Sequence, residues 1–204
     1  KDNIRVTFAA LPFRYGFIRV IKYFREFGIE RTEEELVALM AELGEPRFRA
    51  KQVFSWLSSG TPIGEMTNLS KALREKLEEN YTIKKVEMAA HQISKVDPTE
   101  KFLFELEDGN MIESVLMKYN YGNSVCISSQ VGCRMGCRFC ASTLDGLERN
   151  LLPSEMLEQI YSIIRHTGER VSNIVIMGTG EPMDNYDNLL RFVRILSAKE
   201  GKNI

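Results

Sequence analysis

Two short apolar runs, each followed by a loop and an amphipathic helix, most constrain the fold of this chain. Residues 124–128 and 173–177 have the composition of buried strands, and apolar residues recur at helical spacing after each of them. This order predicts a βαβα pattern over residues 124–199 and a parallel sheet of the α/β class. Two such units neither close a barrel nor cover a sheet, so we expect a chain that stops early or is completed by partners.

The first predicted helix of this pattern has clear boundaries, and the second has an apolar stripe. Pro153 begins the first helix and Gly168 ends it. The apolar positions of the second are expected to form its buried face: Leu189, Leu190, Val193 and Leu196.

The loop after the first strand contains three cysteines, Cys133, Cys137 and Cys140, spaced C-x3-C-x2-C. Three thiolates can hold three irons of a [4Fe–4S] cube and leave the fourth without a protein ligand, whereas an electron-transfer cluster ordinarily uses four cysteines. This spacing favours a cluster that binds a substrate or cofactor at its open iron. Gly136 would let the backbone wrap closely around such a group, and we expect Phe139 to shield it.

Two other interpretations of the cysteines stay open. Structural zinc prefers four ligands, and the nearest fourth candidate is Cys126, because His91 and His166 lie far away in the sequence. The thiols could also be buried and unligated. The chain has four cysteines in all, three of them in one loop, which indicates a reduced, intracellular, metal-binding setting rather than disulfides.

A second motif, Gly-Thr-Gly-Glu-Pro at residues 178–182, follows the second strand. A glycine-rich turn at the carboxyl end of a parallel strand is the usual ligand position in α/β folds. The carboxylate of Glu181 could accept hydrogen bonds from an ammonium group. Gly-Glu-Pro is weak evidence alone, because it also occurs at residues 44–46 between two predicted helices; without the cysteine loop, an ordinary strand–helix turn would be the better interpretation.

Residues 32–90 are predicted to be mainly helical. Thr32 and Glu35 have the spacing of a capping box, Gly44 ends the first helix, and Asn68 is a candidate cap for the third.

A β-hairpin is predicted between these helices and the βαβα pattern, around Asp108-Gly109. The chain therefore divides into three predicted regions: an atypical segment 1–30, a helical accessory domain 31–90, and a region 91–204 with the hairpin and two β/α units.

Segment 1–30 mixes aromatic residues with Arg14, Arg19 and Lys22, which interrupt any signal peptide or membrane span. It is either a basic amphipathic helix packed on the next domain or not native coding sequence. The 204 residues carry a net charge of −1, so the overall charge does not indicate nucleic-acid binding. A local basic patch would be enough for such binding.

The cysteine loop and the Gly-Glu-Pro turn, in this order after two strands, resemble the radical S-adenosylmethionine (SAM) enzymes. A closer resemblance covers residues 32–204. Residues 44–52 and 66–70 resemble the helical accessory domain of the dual-specificity rRNA/tRNA adenine-C(2) methyltransferases (RlmN type), and residues 123–142 and 177–185 resemble the same family. The sequence is less similar to the related adenine-carbon-8 methyltransferases.

This resemblance implies a fold and several roles. The fold would be the N-terminal portion of a radical-SAM (β/α) partial TIM barrel, preceded by the helical domain and the hairpin. Cys133, Cys137 and Cys140 would ligate the [4Fe–4S] cluster, and Gly180 and Glu181 would contact SAM.

Two further residues match positions of the family. Glu113 matches the proton acceptor of the family. It alternates onto one strand face with Met111, Val115 and Met117, and such an apolar setting makes a carboxylate more basic. The alternative is a half-exposed carboxylate on a strand. Cys126 matches a cysteine that transiently forms a disulfide with a methyl-carrying cysteine; a small buried strand residue is the alternative.

The implied reaction methylates carbon 2 of an adenine in 23S rRNA and in tRNA with two SAM molecules. One methylates the carrier cysteine, and the other yields a 5′-deoxyadenosyl radical that takes hydrogen from that methyl group. The resulting methylene radical adds to carbon 2, which is not nucleophilic enough for polar transfer. The resemblance also implies a cytoplasmic monomer that uses flavodoxin or ferredoxin as electron donor and no membrane.

The carrier cysteine belongs to the C-terminal part of this family, and no cysteine follows Cys140 here. We therefore expect an N-terminal fragment that cannot complete methyl transfer alone. A non-enzymatic iron–sulfur or zinc module that binds RNA, and a radical-SAM enzyme with another substrate, stay open as alternatives. Seven cations are candidate RNA contacts, unless they form an ordinary solvated face: Arg47, Arg49, Lys51, Lys118, Arg134, Arg138 and Arg149.

Overall fold

The computed structural model of the protein describes residues 31–81 and 85–198. Segment 1–30, with its two open interpretations, lies outside the described residues, as do residues 199–204. The described residues form five α-helices and seven β-strands. None of these helices combines the length and the apolar character that crossing a bilayer requires.

Three helices precede the sheet: α1 (Glu33–Glu42), α2 (Phe48–Leu57) and α3 (Lys71–Asn80). The predicted capping box is confirmed at α1, where Thr32 N donates to Glu35 Oε2 (2.9 Å) and Glu35 N donates to Thr32 Oγ1 (3.4 Å). Apolar side chains at helical spacing are buried between these helices and form their common core: Leu36, Leu39, Met40, Val53, Phe54, Leu57, Leu73 and Leu77.

The cap of α3 differs from the prediction. Ser70, and not Asn68, is the N-cap residue, since its Oγ accepts a hydrogen bond from Leu73 N (3.2 Å). The side chain of Asn68 is occupied elsewhere, because its Oδ1 accepts a hydrogen bond from Trp56 Nε1 in α2 (2.6 Å). A tertiary contact therefore decides between two polar residues that suit a cap equally well.

Five strands form one sheet in the order β1-β2-β3-β4-β7. Its antiparallel part contains β1 (Glu87–Ile93), β2 (Thr99–Glu105) and β3 (Met111–Tyr119). β2 and β3 are the predicted hairpin, whose turn contains Gly109 at φ 82°. The sequence does not predict β1, a largely exposed edge strand with few strand-forming residues; its pairing with β2 holds it in place.

The parallel pair of the sheet confirms the βαβα pattern. β4 (Gly122–Cys126) pairs antiparallel with β3 and parallel with β7 (Val171–Val175). The crossover helix α4 (Pro153–Thr167) begins at the predicted proline and ends at Gly168, which takes the left-handed conformation at φ 69°. The protein therefore has the predicted α/β fold.

Helix α4 covers one face of the sheet. Ser114 Oγ in β3 donates a hydrogen bond to Gln159 Oε1 in α4 (2.8 Å). The neighbouring side chains on this face are almost completely buried: Phe102, Phe104, Ile112 and Leu116. Because side chains alternate along a strand, Glu113 and Val115 lie on the opposite face, where they are more exposed.

The last described helix, α5 (Tyr186–Leu196), buries a face that overlaps the predicted one, since Leu196 is buried and Leu189 packs against the core. Its buried residues are Phe192, Ile195 and Leu196, whereas Val193 is 43% exposed. The apolar residues of this helix cover a broad arc, so their spacing alone does not decide which edge of that arc is buried most deeply. Packing selects the side that carries the bulky Phe192 ring.

A two-stranded ribbon, which the sequence does not predict, holds the cysteine loop. β5 (Gln130–Gly132) leads into the loop and β6 (Leu147–Asn150) leaves it, and the two strands pair antiparallel. Such short strands have no recognisable alternation of apolar and polar residues, so only their pairing reveals them.

Candidate functional site

The cysteine loop and the Gly-Glu-Pro turn lie side by side at the carboxyl ends of β4 and β7. Ile127 N donates to Val175 O (2.9 Å), and Gly178 N donates to Ile127 O (3.0 Å), so the two chains continue together beyond the strands. Ser129 N then donates to Thr179 O (2.9 Å). Ligands bind at this end of parallel strands in α/β folds, so the two sequence motifs meet where a ligand site is expected.

The three clustered cysteines differ in exposure: Cys133 is buried, Cys140 is half-buried and Cys137 is exposed. Backbone hydrogen bonds from Cys133 N to Gly146 O (2.9 Å) and from Cys140 N to Cys137 O (3.0 Å) hold the loop. All four cysteines are free, so no disulfide joins them. Within residues 31–81 and 85–198, no three His, Cys, Asp or Glu side chains are gathered into a metal-binding group.

Two glycines of the cysteine loop have positive φ angles but different surroundings. Gly132 has φ 71°, and a Cβ there would lie 2.0 Å from Gly146 O, so the loop closes tightly on backbone at its base. Gly136 has φ 69° with no atom within 4 Å of a Cβ built there, so the loop is uncrowded at this position. Cysteine sulfurs are soft donors of the kind that hold iron–sulfur clusters.

The Phe139 side chain is 94% exposed in the cysteine loop, and its shielding of a bound cluster stays a prediction. Leu144 is 80% exposed and Met135 is 46% exposed in the same loop. The ring of Phe139 projects away from the packed part of the chain, since the loop lies at the sheet's end, where the described residues provide no core for it to enter.

The Gly-Glu-Pro turn is packed tightly against the end of β4. A Cβ on Gly178 would lie 2.8 Å from the carbonyl carbon and oxygen of Ile127, and a Cβ on Gly180 would lie 2.5 Å from Gln130 Cβ. Glu181 is half-buried, and its Oε1 accepts a hydrogen bond from Met183 N (3.1 Å). The glycines are thus required by close approach, and Glu181 begins a 3₁₀ turn that leads into α5.

A group of buried polar side chains, which the sequence does not predict, lies beneath both loops. Ser128 Oγ donates to Glu113 O (2.7 Å) and accepts from Thr179 N (2.9 Å). Gln159 Oε1 accepts from Ser128 N (2.8 Å), and Gln159 Nε2 donates to Ser128 O (3.1 Å). The sequence carries one signal for this group: the polar run Ser128-Ser129-Gln130 directly follows an apolar strand, and buried polar residues need hydrogen-bond partners.

Glu113 is not in the apolar setting that the sequence suggests. Lys101 Nζ lies 2.6 Å from Glu113 Oε1, and the Glu113 side chain is 49% exposed. The residues that share its face are also partly exposed, with Met111 at 43%. The outer sheet face is unpacked in the described chain, which leaves the carboxylate accessible to solvent and to Lys101.

Cys126 lies on the same sheet face as Glu113. Cys126 pairs in register with Val115, and Val115 is two residues from Glu113 along β3. The thiol is half-buried, and burial raises its pKa, although a hydrogen bond with the Met177 backbone acts in the opposite direction. The structure therefore gathers two of the predicted site residues on one open face.

Several cations proposed as RNA contacts are engaged within the protein. Lys118 Nζ lies 3.0 Å from Glu100 and 3.1 Å from Glu169. Arg149 Nη2 lies 2.7 Å from Glu155 Oε1, and its Nε contacts Asp108 (2.5 Å).

Two more of these arginines also have partners: Arg134 pairs with Asp184, and Arg49 Nη1 donates to Asn68 O (2.8 Å). Arg47 and Arg138 are exposed. The two histidines considered for zinc contact each other, with His166 Nε2 3.3 Å from His91 Nδ1, and His91 Nε2 lies 2.8 Å from Glu100.

Two sequence profiles match this chain. The profile described as "Ribosomal RNA large subunit methyltransferase N-terminal domain" matches residues 29–83, and the profile described as "Radical SAM superfamily" matches residues 127–204. A solved structure, "Crystal Structure of a radical SAM methyltransferase from Sphaerobacter thermophilus", superposes with a TM-score of 0.78 at 39% sequence identity, over 86% of this chain and 53% of that one.

Curated relatives carry the name "Probable dual-specificity RNA methyltransferase RlmN". The one from Lachnospira eligens is 61% identical over 173 residues, which are 84% of this chain and 49% of that protein. The one from Clostridium botulinum (strain Eklund 17B / Type B) is 53% identical over 177 residues, 86% of this chain and 51% of that protein. This chain spans about half the length of these relatives. Residues 29–83 therefore match the N-terminal-domain profile of these rRNA methyltransferases, residues 127–204 match the radical SAM profile, and the chain is similar to the N-terminal half of the proteins named RlmN.

Proposed function

We propose that the protein that carries this chain methylates carbon 2 of adenine in large-subunit rRNA and in tRNA, as a radical-SAM methyltransferase. The observation that supports this most is the contact between the cysteine loop and the Gly-Glu-Pro turn at the ends of β4 and β7. The names of the relatives at up to 61% identity supply the substrate class. The reaction, its RNA substrates and its cytoplasmic setting are proposals for the whole protein.

The cysteine loop is the proposed cluster site. Cys133, Cys137 and Cys140 would each provide a thiolate to one iron of a [4Fe–4S] cluster. When bound, the cluster and SAM supply one-electron chemistry that generates a carbon-centred radical. The exposed thiol of Cys137 lies where a cluster or its delivery partner can reach it.

The Gly-Glu-Pro turn is the proposed SAM contact. Gly180 lies in a left-handed conformation at φ 103°, and this orients the backbone of the turn beside the cysteine loop. One Glu181 oxygen is held by the Met183 amide, and this fixes the direction of the carboxylate. A fixed carboxylate and backbone carbonyls are the acceptors that an ammonium group requires.

The open sheet face is the proposed location of the remaining chemistry. Glu113 would accept a proton, and Lys101 at 2.6 Å would orient its carboxylate. Cys126 would release the product through a transient disulfide with a carrier cysteine that this chain does not contain. Burial raises the pKa of the Cys126 thiol, and this would slow its oxidation until a partner approaches. A flavodoxin or ferredoxin would supply electrons, and we propose that the protein acts as a monomer.

Anaerobic reconstitution tests the cluster site first. The protein should bind about four irons and become brown, and replacement of Cys133, Cys137 and Cys140 by alanine should abolish iron uptake. Stoichiometric zinc without iron uptake would contradict the proposal and favour a non-enzymatic zinc module.

The substrate is tested separately. The complete gene that contains this sequence should restore 2-methyladenosine in rRNA and tRNA of a strain that lacks its own carbon-2 methyltransferase, as measured by mass spectrometry of digested RNA. A protein that forms 5′-deoxyadenosine with no methylated RNA would be a radical-SAM enzyme with another substrate.

A further inference from the structure

Gln130 connects the two halves of the candidate site. It is the first residue of β5, and its side chain is completely buried. Its Oε1 accepts a hydrogen bond from Glu181 N (2.8 Å), while its Nε2 donates to Asp184 Oδ2 (3.0 Å) and to Asn150 Oδ1 (2.7 Å). One amide thus uses both donor hydrogens and its acceptor, on partners from two other segments: the turn that contains Glu181 and Asp184, and the end of β6 at Asn150.

The orientation of this amide is fixed by its partners. A backbone N–H can only donate, so it requires the Gln130 oxygen. The hydrogen bonds that Arg134 donates hold Asp184 as a carboxylate and lower its pKa, and a carboxylate can only accept, so it requires the Gln130 nitrogen. An inverted amide would place oxygen against carboxylate and N–H against N–H.

A second connection reinforces the first. Asp184 also accepts both guanidinium hydrogen bonds of Arg134, with Nε at 2.8 Å, and Arg134 directly follows Cys133. The Gly180 backbone lies directly on Gln130, since a Cβ there would approach Gln130 Cγ to 2.8 Å. The cysteine loop and the Gly-Glu-Pro turn are therefore joined through one amide and one carboxylate.

We propose that Gln130, together with Asp184, is a positioning residue that sets the Gly-Glu-Pro turn at its working distance from the cysteine loop. This inference rests on the proposed function, because the turn and the loop would bind the two ends of one cofactor complex. Neither side chain needs to touch SAM. Their role is to keep the Glu181 backbone and the base of the cysteine loop in one rigid arrangement, which lowers the cost of ordering the site on binding.

The test exchanges donor and acceptor. Gln130→Glu keeps the size of the side chain but sets a carboxylate against Asp184, and Asp184→Asn alone removes the negative charge and one of the two oxygens that accept from Gln130 and Arg134. In the double variant Q130E/D184N the new amide can donate to the new carboxylate, and Asn150 can rotate to donate its own Nδ2. Asp108→Asn is the matched control, since Asp108 is also an arginine-paired carboxylate but lies in the hairpin turn.

Two measurements on the full chain test the Gln130–Asp184 hydrogen bond separately from its proposed effect on SAM binding. In the apo protein, urea unfolding midpoints of the four Gln130/Asp184 forms should show coupling, with the double variant more stable than the sum of the single changes predicts. In the reconstituted protein, Q130E should keep the wild-type iron content but bind S-adenosylhomocysteine, an unreactive probe, about ten-fold more weakly or worse. The double variant should recover most of this loss, and D108N should show none.

The electron paramagnetic resonance spectrum of the reduced cluster gives a readout that stability alone does not change. Without SAM, the spectrum of Q130E should match the wild type, and the spectral change on SAM addition should be reduced until SAM is raised about ten-fold. Wild-type affinity in Q130E, or an uncoupled double variant, would overturn the positioning role and leave the proposed function intact. A wild-type protein that takes up no iron and binds no probe would overturn the proposed function, and this inference with it, even if the apo coupling is present.

Discussion

Glu35 in α1 and Arg191 in α5 form an ion pair across 156 residues of sequence, with Arg191 Nη2 2.6 Å from Glu35 Oε2. The same carboxylate accepts the capping hydrogen bond from Thr32 N. Burial opposes ionisation of Glu35, but the hydrogen bonds from Arg191 and the Thr32 backbone outweigh it and lower its pKa. One side chain therefore both begins a helix and ties the helical region to the α/β region.

We expect the two partners of this pair to contribute unequally to stability. Glu35→Ala removes a cap and an ion pair, and should lower the free energy of unfolding by about 1–2 kcal/mol. Arg191→Ala removes the ion pair but leaves the cap, and should cost less than about 1 kcal/mol. Urea unfolding measures both, and equal losses would show that the capping box adds nothing.

The Asp108–Arg149 pair predicts loss of stability in acid. The hydrogen bond from Arg149 holds the pKa of Asp108 well below its usual range. A lowered folded-state pKa stabilises the fold above the unfolded-state pKa of about 3.9, and this contribution disappears as the pH falls further.

Urea midpoints measured from neutral pH downward test this. The difference between wild type and Asp108→Asn should stay constant from pH 7 to about pH 5 and shrink below about pH 4. Asp145→Asn, at an exposed carboxylate, is the control and should show a smaller difference throughout. A wild type–D108N difference that grows on acidification would refute the prediction.

Two glycines of the cysteine loop form a matched pair for mutation. Gly132 and Gly136 have nearly the same φ, 71° and 69°, but a Cβ at Gly132 would meet the Gly146 carbonyl oxygen at 2.0 Å, while the position at Gly136 is open. Both alanine variants should carry the backbone strain of about 1 kcal/mol. Gly132→Ala should in addition separate β5 from β6, so its unfolding midpoint should fall clearly below that of Gly136→Ala. Equal unfolding midpoints for the two variants would mean that the close contact between Gly132 and Gly146 does not contribute to stability.

Chemical labelling should distinguish the four cysteines. In the metal-free protein under anaerobic conditions, iodoacetamide should modify exposed Cys137 faster than half-buried Cys126, whose raised pKa leaves little thiolate at pH 7.5. Cluster loading should protect Cys133, Cys137 and Cys140 but leave the rate at Cys126 unchanged. Mass spectrometry of the digested protein gives the four rates, and protection of Cys126 would indicate that it is a ligand.

The parts of the fold that the sequence predicts are those encoded by neighbouring residues. Pro153 and Gly168 mark both ends of α4, and Asp108-Gly109 marks the hairpin, because these signals act within a few residues. β1 and the β5–β6 ribbon depend on partners far along the chain, and their own residues carry little strand preference. The formation of these strands therefore depends on strand pairing and not on their amino-acid composition.

The candidate site divides in the same way. The spacing of Cys133, Cys137 and Cys140 and the Gly-Glu-Pro turn are visible as motifs, and the structure brings them together. The polar run that contains Gln130 is visible in the sequence, but its role is not, because the partners Glu181 and Asp184 lie more than fifty residues away. The setting of Glu113 is wrong in the sequence prediction for a related reason: alternation gives the face on which a residue lies but not what covers that face.

The position of β7 in the sheet has a practical consequence for handling this polypeptide. Among the described strands, β7 pairs only with β4, so the amide and carbonyl groups along its other side have no strand partner. Such an edge can template the addition of foreign β-structure. Covering this edge, or weakening it with a charged residue, is therefore the first measure to take if concentrated samples form fibrils or precipitate.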